Sequence, residues 1–190
     1  MPIRPDQGAY HFSAEKQIYE IQRGNNFEVV LNTDFINRLT ALGSPATSFP
    51  KAQDYIRISV ASFSVPHFSQ NPIEVRRGNT SVKYAGVMSF NSGSLQCYDF
   101  IGTRTKDILM AWQARSGNPL DQTVGLQAQY KTDCTLLEYP PDYSRIVRTW
   151  KLEGCWISEI SEPEYSADSN DARRISVTIQ YDRAYPVYDV

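Results

Sequence analysis

Apolar and polar side chains alternate at period two along much of this chain, most cleanly near its end. Ile175, Val177, Ile179 and Tyr181 alternate with Arg174, Ser176, Thr178, Gln180 and Asp182. The run from Arg173 to Asp182 therefore predicts a strand with one buried and one wet face. Tyr130 to Tyr139, closed by Pro140-Pro141-Asp142, and Arg145 to Ile157 predict two more strands, with Gly154 marking a bulge or a close backbone approach. Ile73 to Arg76 and Ser81 to Tyr84 flank Arg77-Gly78-Asn79-Thr80, the pattern of a strand, a tight turn and a returning strand. Val87 to Phe90 and Leu95 to Tyr98 predict a second short pair around Asn91 to Ser94. From Tyr55 to Val65, Ile56, Ile58, Val60 and Ser62 alternate with Arg57, Ser59, Ala61 and Phe63, which predicts a strand ended by Pro66.

One segment carries the helical period instead. Between Thr103 and Arg115, Ile108, Leu109, Ala111 and Trp112 form a stripe, with Ile108 and Trp112 one turn apart. Thr103 or Thr105 supplies an N-cap, Asp107 sits near the positive end of the dipole, and Gly117 and Pro119 stop the helix, with Gly117 expected in the left-handed conformation. Trp112 is expected to anchor this helix to a sheet. The first fifty residues, punctuated by Pro2, Pro5, Gly8, Gly24, Gly43, Pro45 and Pro50, read as an irregular arm. Within the arm, Ile18 to Ile21 and Phe27 to Leu31 form a candidate hairpin, and Asp34 to Leu42 a candidate short helix. The expectation is a single domain over residues 1–190, mainly β. It has two packed antiparallel sheets, as a sandwich or half-open barrel, and one short flanking α-helix.

Composition narrows the function by exclusion. With 19 Lys+Arg against 21 Asp+Glu the net charge is −2, without the basic footprint of an autonomous nucleic-acid binder. An apolar share of 41% supports a folded core. No apolar run approaches the ~20 residues that span a bilayer, and Met-Pro-Ile-Arg-Pro-Asp is not a secretory leader, so no membrane partner is expected. Cys97, Cys134 and Cys155 are odd in number and lack C-x-x-C spacing, which favours buried thiols in a reducing compartment over disulfides or zinc. His11 and His67 are the only histidines, and no nucleophile elbow, P-loop or zinc-protease motif is present. No catalytic residue, metal site or cofactor is expected. The densest acidic stretch, Glu159, Glu162, Glu164, Asp168 and Asp171, reads as a solvated connection between strands or as a docking surface for a basic neighbour.

Several of these segments together resemble a known family. Tyr98-Asp99-Phe100-Ile101-Gly102 leads into the Trp-bearing helix, and Tyr130-Lys131-Thr132-Asp133-Cys134 follows it. Next comes Arg148-Thr149-Trp150-Lys151-Leu152-Glu153-Gly154-Cys155-Trp156, and the strand ending Gln180-Tyr181-Asp182-Arg183 closes the pattern. With the early hairpin carrying Arg76-Arg77-Gly78-Asn79, the region from Tyr55 to Tyr185 resembles the tail tube proteins of contractile-tailed bacteriophages, relatives of type VI secretion and bacteriocin tubes. The resemblance implies a non-enzymatic subunit of the virion tail, assembled in the bacterial host cytoplasm. Such subunits form hexameric rings stacked into a tube, with β-strands of neighbouring copies lining the lumen. The implied partners are further copies of itself, the tail sheath protein, the tape-measure protein, and the baseplate and tail terminator proteins, with DNA passing through unbound. Candidate assembly contacts are Glu74, Arg76, Arg77, Asn79 and Lys83 in the hairpin, and the acidic stretch. Two alternatives remain open: a tube subunit of a secretion or extracellular contractile injection system, and a tyrosine-rich carbohydrate-binding β-sandwich.

Overall fold

A computed structural model describes residues 21–102, 104–168 and 170–188. The predicted one-sided strands assemble into a seven-stranded antiparallel sheet. Its members are β1 (Phe27–Leu31), β4 (Val60–Phe63), β9 (Gly93–Tyr98), β12 (Thr132–Glu138), β13 (Arg148–Ser161), β14 (Arg174–Gln180) and β15 (Arg183–Val187). Their spatial order is β1-β12-β13-β14-β9-β4, and β15 pairs with β13 on the flank that β14 also occupies.

The 14-residue β13 is the spine. Its first half pairs with β12 and β15, and its second half with β14. The two halves meet at Gly154, where Thr132 pairs with Cys155 but Cys134 pairs with Leu152, so Glu153 and Gly154 together face the single residue Asp133. This is a bulge, and it needs a left-handed residue: Gly154 has φ +70°. A Cβ there would also lie 2.2 Å from an Asp182 carboxylate oxygen, so the expected close approach is present as well. Beyond the bend the sheet curls until β4 nears β1. A cleft of about 350 Å³ lined by Phe27, Ser62, Phe63 and Leu136 separates them, giving a half-open rather than a closed barrel among the described residues.

The helix expected around Trp112 is α3 (Thr105–Ser116), after α1 (Thr33–Ile36) and α2 (Ala52–Ser59); α4 (Gln127–Tyr130) follows it. Trp112 is 1% exposed, and its Nε1–H donates to the Tyr130 carbonyl at 3.1 Å. Its ring meets Phe35 edge to face, with centroids 6.0 Å apart. The N-cap differs from expectation: Arg104 fills it at φ 51° without a side-chain hydrogen bond. Thr105 is instead the first helical residue, its hydroxyl 2.8 Å from that of Ser59, and Thr103 lies outside the described residues. Gly117 is extended, at φ −153°, because the chain leaves α3 directly into the short β10 (Gly117–Asn118), paired with β11 (Thr123–Val124).

Other local expectations fail in part or fall outside the described residues. Tyr55 to Ser59 is helical rather than extended, inside α2. Ala52, Gln53, Ile56 and Ser59 are buried at helical spacing while Ile58 is 67% exposed, so burial against α3 and β1 selects the helical period over the alternation. Phe27–Leu31 pairs with β12, and the other half of the hairpin expected there, Ile18 to Glu20, lies outside the described residues. Leu95 to Tyr98 pairs with β14 and β4, not with the Val87 to Phe90 segment. The short helix exists as α1, capped by the Asn32 side chain rather than by Asp34, and β2 (Thr40–Ala41) pairs with β3 (Ser44–Ser48) where it was expected to continue. Buried residues of both sheet halves, α2 and α3 form one cluster, and Cys97, Cys134 and Cys155 are free thiols within it.

Candidate assembly interface

The predicted hairpin is the upper part of a long ribbon standing off this body. Its stem is β5 (Phe68–Gln70) paired with β8 (Met88–Phe90), and its arm is β6 (Ile73–Arg77) paired with β7 (Thr80–Tyr84). Gly78 turns the arm with φ +64°, and the positive angle at the first loop position alone matches a type II′ hairpin turn. The stem is held to the sheet by Phe90, whose ring meets Phe68 edge to face and Tyr181 at a tilt, with centroids 6.1 Å from each. Along the arm none of the described residues covers the strands, and all ten of its strand residues are exposed.

Register sorts the arm into two faces. Ile73 pairs with Tyr84 and Val75 with Val82, so four apolar side chains share one face; they are 55%, 46%, 41% and 39% exposed in that order. Glu74 pairs with Lys83 and Arg76 with Ser81 on the other. A two-stranded ribbon by itself is marginal in water, and a ladder of β-branched and aromatic side chains gains stability only when something packs on it. The arm is thus an unfinished element. Its ion pair, Lys83 Nζ to Glu74 at 3.1 Å with both side chains more than half exposed, contributes little. The charged residues stand out in the sequence here and the apolar ladder was missed, although Ile73, Val75, Val82 and Tyr84 alternate plainly with polar neighbours.

At the base of the ribbon lies a groove of about 540 Å³, lined by Phe68, Met88, Phe90, Trp150, Ala184 and Pro186. It runs beside β15, whose only strand partner among the described residues is β13. An edge of this kind, next to exposed Phe68 and Met88, is a template for another strand.

The acidic residues do not converge. Glu159 is exposed in β13 opposite Thr178. Glu162 is held within the chain: Lys106 of α3 donates to it at 3.0 Å, and Arg173 donates from the other side. Partial burial raises the Glu162 pKa, but the two cations outweigh it and leave the carboxyl below its usual range. Arg173 also lies 3.8 Å over the Tyr165 ring, pinning the connection to the body. Glu164, Asp168 and Asp171 remain exposed on that connection.

Nothing in the described residues gathers into a reactive centre. His67 is exposed beside the groove, and His11 lies outside the described residues. Burial pushes the Cys97 thiol up to about 12. A hydrogen bond with Cys155, reinforced by burial, holds the Cys134 thiol well above its ordinary value. These are inert core groups. No group of His, Cys, Asp and Glu among the described residues is placed to hold a metal ion.

By sequence, no family model and no curated protein matches the chain. Its fold, however, is shared with chains of contractile injection assemblies. A chain of the sheath-tube complex of an extracellular contractile injection system (PVC, extended state) is similar over 95% of this chain and 97% of its own, at 18% identity and a TM-score of 0.61. A chain of the anti-feeding prophage (AFP) tube terminating cap is similar over 89% and 92%, at 16% identity and a TM-score of 0.60. A chain of the PVC sheath/tube terminator structure is similar over 87% and 96%, at 20% identity and 0.58.

Proposed function

We propose that this protein is the tube subunit of a contractile tail-like apparatus. Copies close into six-membered rings, and rings stack into a hollow conduit. It turns over no substrate; its work is assembly and passage. The observation that carries this reading is an exposed ribbon with an unburied apolar ladder, on a half-open sheet whose fold matches tube-complex chains from end to end. The ladder and the groove beside β15 are the surfaces that neighbouring copies cover, with Arg76, Arg77 and Asn79 at the ribbon tip and Glu164, Asp168 and Asp171 as secondary contacts.

In this role the outside of the tube meets a sheath, its ends meet a baseplate and a terminator, and a tape-measure protein occupies it during assembly. In a phage, DNA crosses the bore without being held. A second setting, an extracellular injection machine, is favoured by the systems to which the similar folds belong. The carbohydrate-binding alternative would have to use the open cleft of about 620 Å³ lined by Phe27, Glu28, Asp54, Arg57, Tyr139 and Tyr143, whose Arg57 is already paired with Glu28.

Negative-stain microscopy of the concentrated protein, with and without sheared tube fragments as seeds, tests the proposal. Wild type should form filaments of constant diameter with a central stain-filled bore. Val75→Asp combined with Val82→Asp should leave a folded monomer that does not extend seeds. A wild-type protein that never extends seeds, or a double variant that assembles normally, rejects it.

A further inference from the structure

The cleft between β1, α2 and the turn after β12 has a chemistry of its own. α2 buries Ala52, Gln53, Ile56 and Ser59, which brings Asp54, Arg57 and Ile58 to its other side, where they line the cleft with Phe27 and Glu28 of β1. Tyr139 and Tyr143 complete the lining, their ring centroids 5.5 Å apart and their planes inclined by 34°. Both rings are fixed through their hydroxyls. That of Tyr139 donates to Glu28 Oε2 at 3.1 Å, and that of Tyr143 to Asn26 Oδ1 at 3.3 Å. Asn26 is buried and donates in turn to the Pro140 carbonyl at 3.0 Å. Tyr143 also takes a left-handed backbone, φ 54°, which bulky side chains rarely adopt. Glycine or asparagine would suit that turn better; tyrosine keeps a ring, more than half exposed, at the cleft.

The charges of the cleft do not cancel. Arg57 is paired with Glu28. Asp54, exposed in the first turn of α2, is left without a paired cation among the described residues. A carboxylate beside tyrosine faces attracts a delocalised cation, because the ring quadrupole and the negative charge pull the same way. The chain uses this chemistry once internally, where Arg173 lies over the Tyr165 ring and donates to Glu162. An anionic ligand would meet Asp54 with the one cation of the cleft already engaged, and a neutral sugar would gain stacking but nothing from the charge. Ile58, one turn along α2 from Asp54, adds an exposed apolar shoulder that a small cation would leave bare.

We infer that this cleft is a docking socket for an arginine side chain of a partner protein. The guanidinium stacks on the tyrosine pair and pairs with Asp54, and an aliphatic residue next to the arginine covers Ile58. The socket shares no lining residue with the ribbon arm or with the groove beside β15, so this inference stands apart from the tube reading.

NMR titration of dispersed, full-length, nitrogen-15-labelled subunits tests it. The dipeptide acetyl-Arg-Leu-amide should shift the backbone amides of Asp54 to Ile58 and of Tyr139 and Tyr143 saturably. Its citrulline analogue, which keeps the shape and loses the charge, should not saturate, and arginine amide alone should bind more weakly. Asp54→Asn should weaken dipeptide binding about threefold, and Tyr143→Leu about twofold to fivefold. Tyr143→Phe, which keeps the ring, should bind as wild type does, which separates ring contact from support of the turn. Amide positions outside the cleft report whether each variant keeps its fold. Equal binding of the citrulline analogue, or undiminished binding by both Asp54→Asn and Tyr143→Leu, overturns the socket. Arginine amide binding as tightly as the dipeptide overturns the protein partner and leaves a small-cation site. Saturable shifts of the same amides by cellobiose, at lower concentration than the dipeptide needs, give the cleft to carbohydrate and sink the inference.

Discussion

The residues that fix this fold most tightly sit around the bend in β13. Gly154 combines a left-handed backbone with a side chain of Asp182 where a Cβ would be. Gly154→Ala should therefore destabilise the protein by at least about 1–2 kcal/mol, read from urea denaturation, and removing the Asp182 side chain should recover only the steric part. Beside it, Glu153 is held down to about 2 by hydrogen bonds from Arg183, Tyr185 and Lys151. A depressed folded-state pKa stabilises the folded state fully above the ordinary value of 4.5, and the benefit is lost as pH falls toward 2. Plotted against pH, wild-type stability should decline through that window. Glu153→Gln should flatten the decline and lower stability at neutral pH, and an unchanged acid profile in the variant would show that the cluster is solvated rather than bound.

The secondary structure was legible in the sequence wherever one period stood alone. β14 and α3 show a single unambiguous pattern, and both appear close to where they are expected. The arm of the ribbon was legible for the same reason, its turn marked by Gly78-Asn79. Its stem was not, because Met88–Phe90 pairs with Phe68–Gln70 instead of with Leu95 to Tyr98. The segment from Ala52 to Phe63 was not, because Ile56 and Ile58 satisfy an alternating reading while Ala52, Ile56 and Ser59 satisfy a helical one. Only tertiary burial decides between them. The two isoleucines give a direct check: Ile56→Ala should cost about 2–5 kcal/mol, whereas Ile58→Ala should stay within about 0.5 kcal/mol. A strand would have made them equivalent. At the candidate interface, the charges were legible and the consequential surface was not. A period-two pattern reveals an apolar face but not whether the fold covers it. Nor could the sequence show that Glu162 spends its charge on Lys106 and Arg173 inside the chain.

At the scale of the whole molecule, two forces could bring copies together, and salt separates them. The ribbon offers an apolar ladder on one face and Arg76 with Arg77 near its tip, while the acidic connection offers Glu164, Asp168 and Asp171. Contacts between such exposed charges are screened within about 10 Å at 0.1 M salt, and individually they are worth about 0–1 kcal/mol. Ile73, Val75, Val82 and Tyr84 are 39–55% exposed, and covering what remains stabilises a contact by about 0.5–1.5 kcal/mol for each side chain, together more than the charges offer. Tube yield measured by sedimentation should therefore hold or rise as salt increases. Arg76→Glu with Arg77→Glu should slow assembly chiefly at low salt, and Val75→Ser with Val82→Ser should reduce it at every salt concentration. If yield instead falls steeply with salt, and Glu164→Lys or Asp168→Lys restores assembly to the arginine variant, the charges hold the rings together and the ladder serves some other contact.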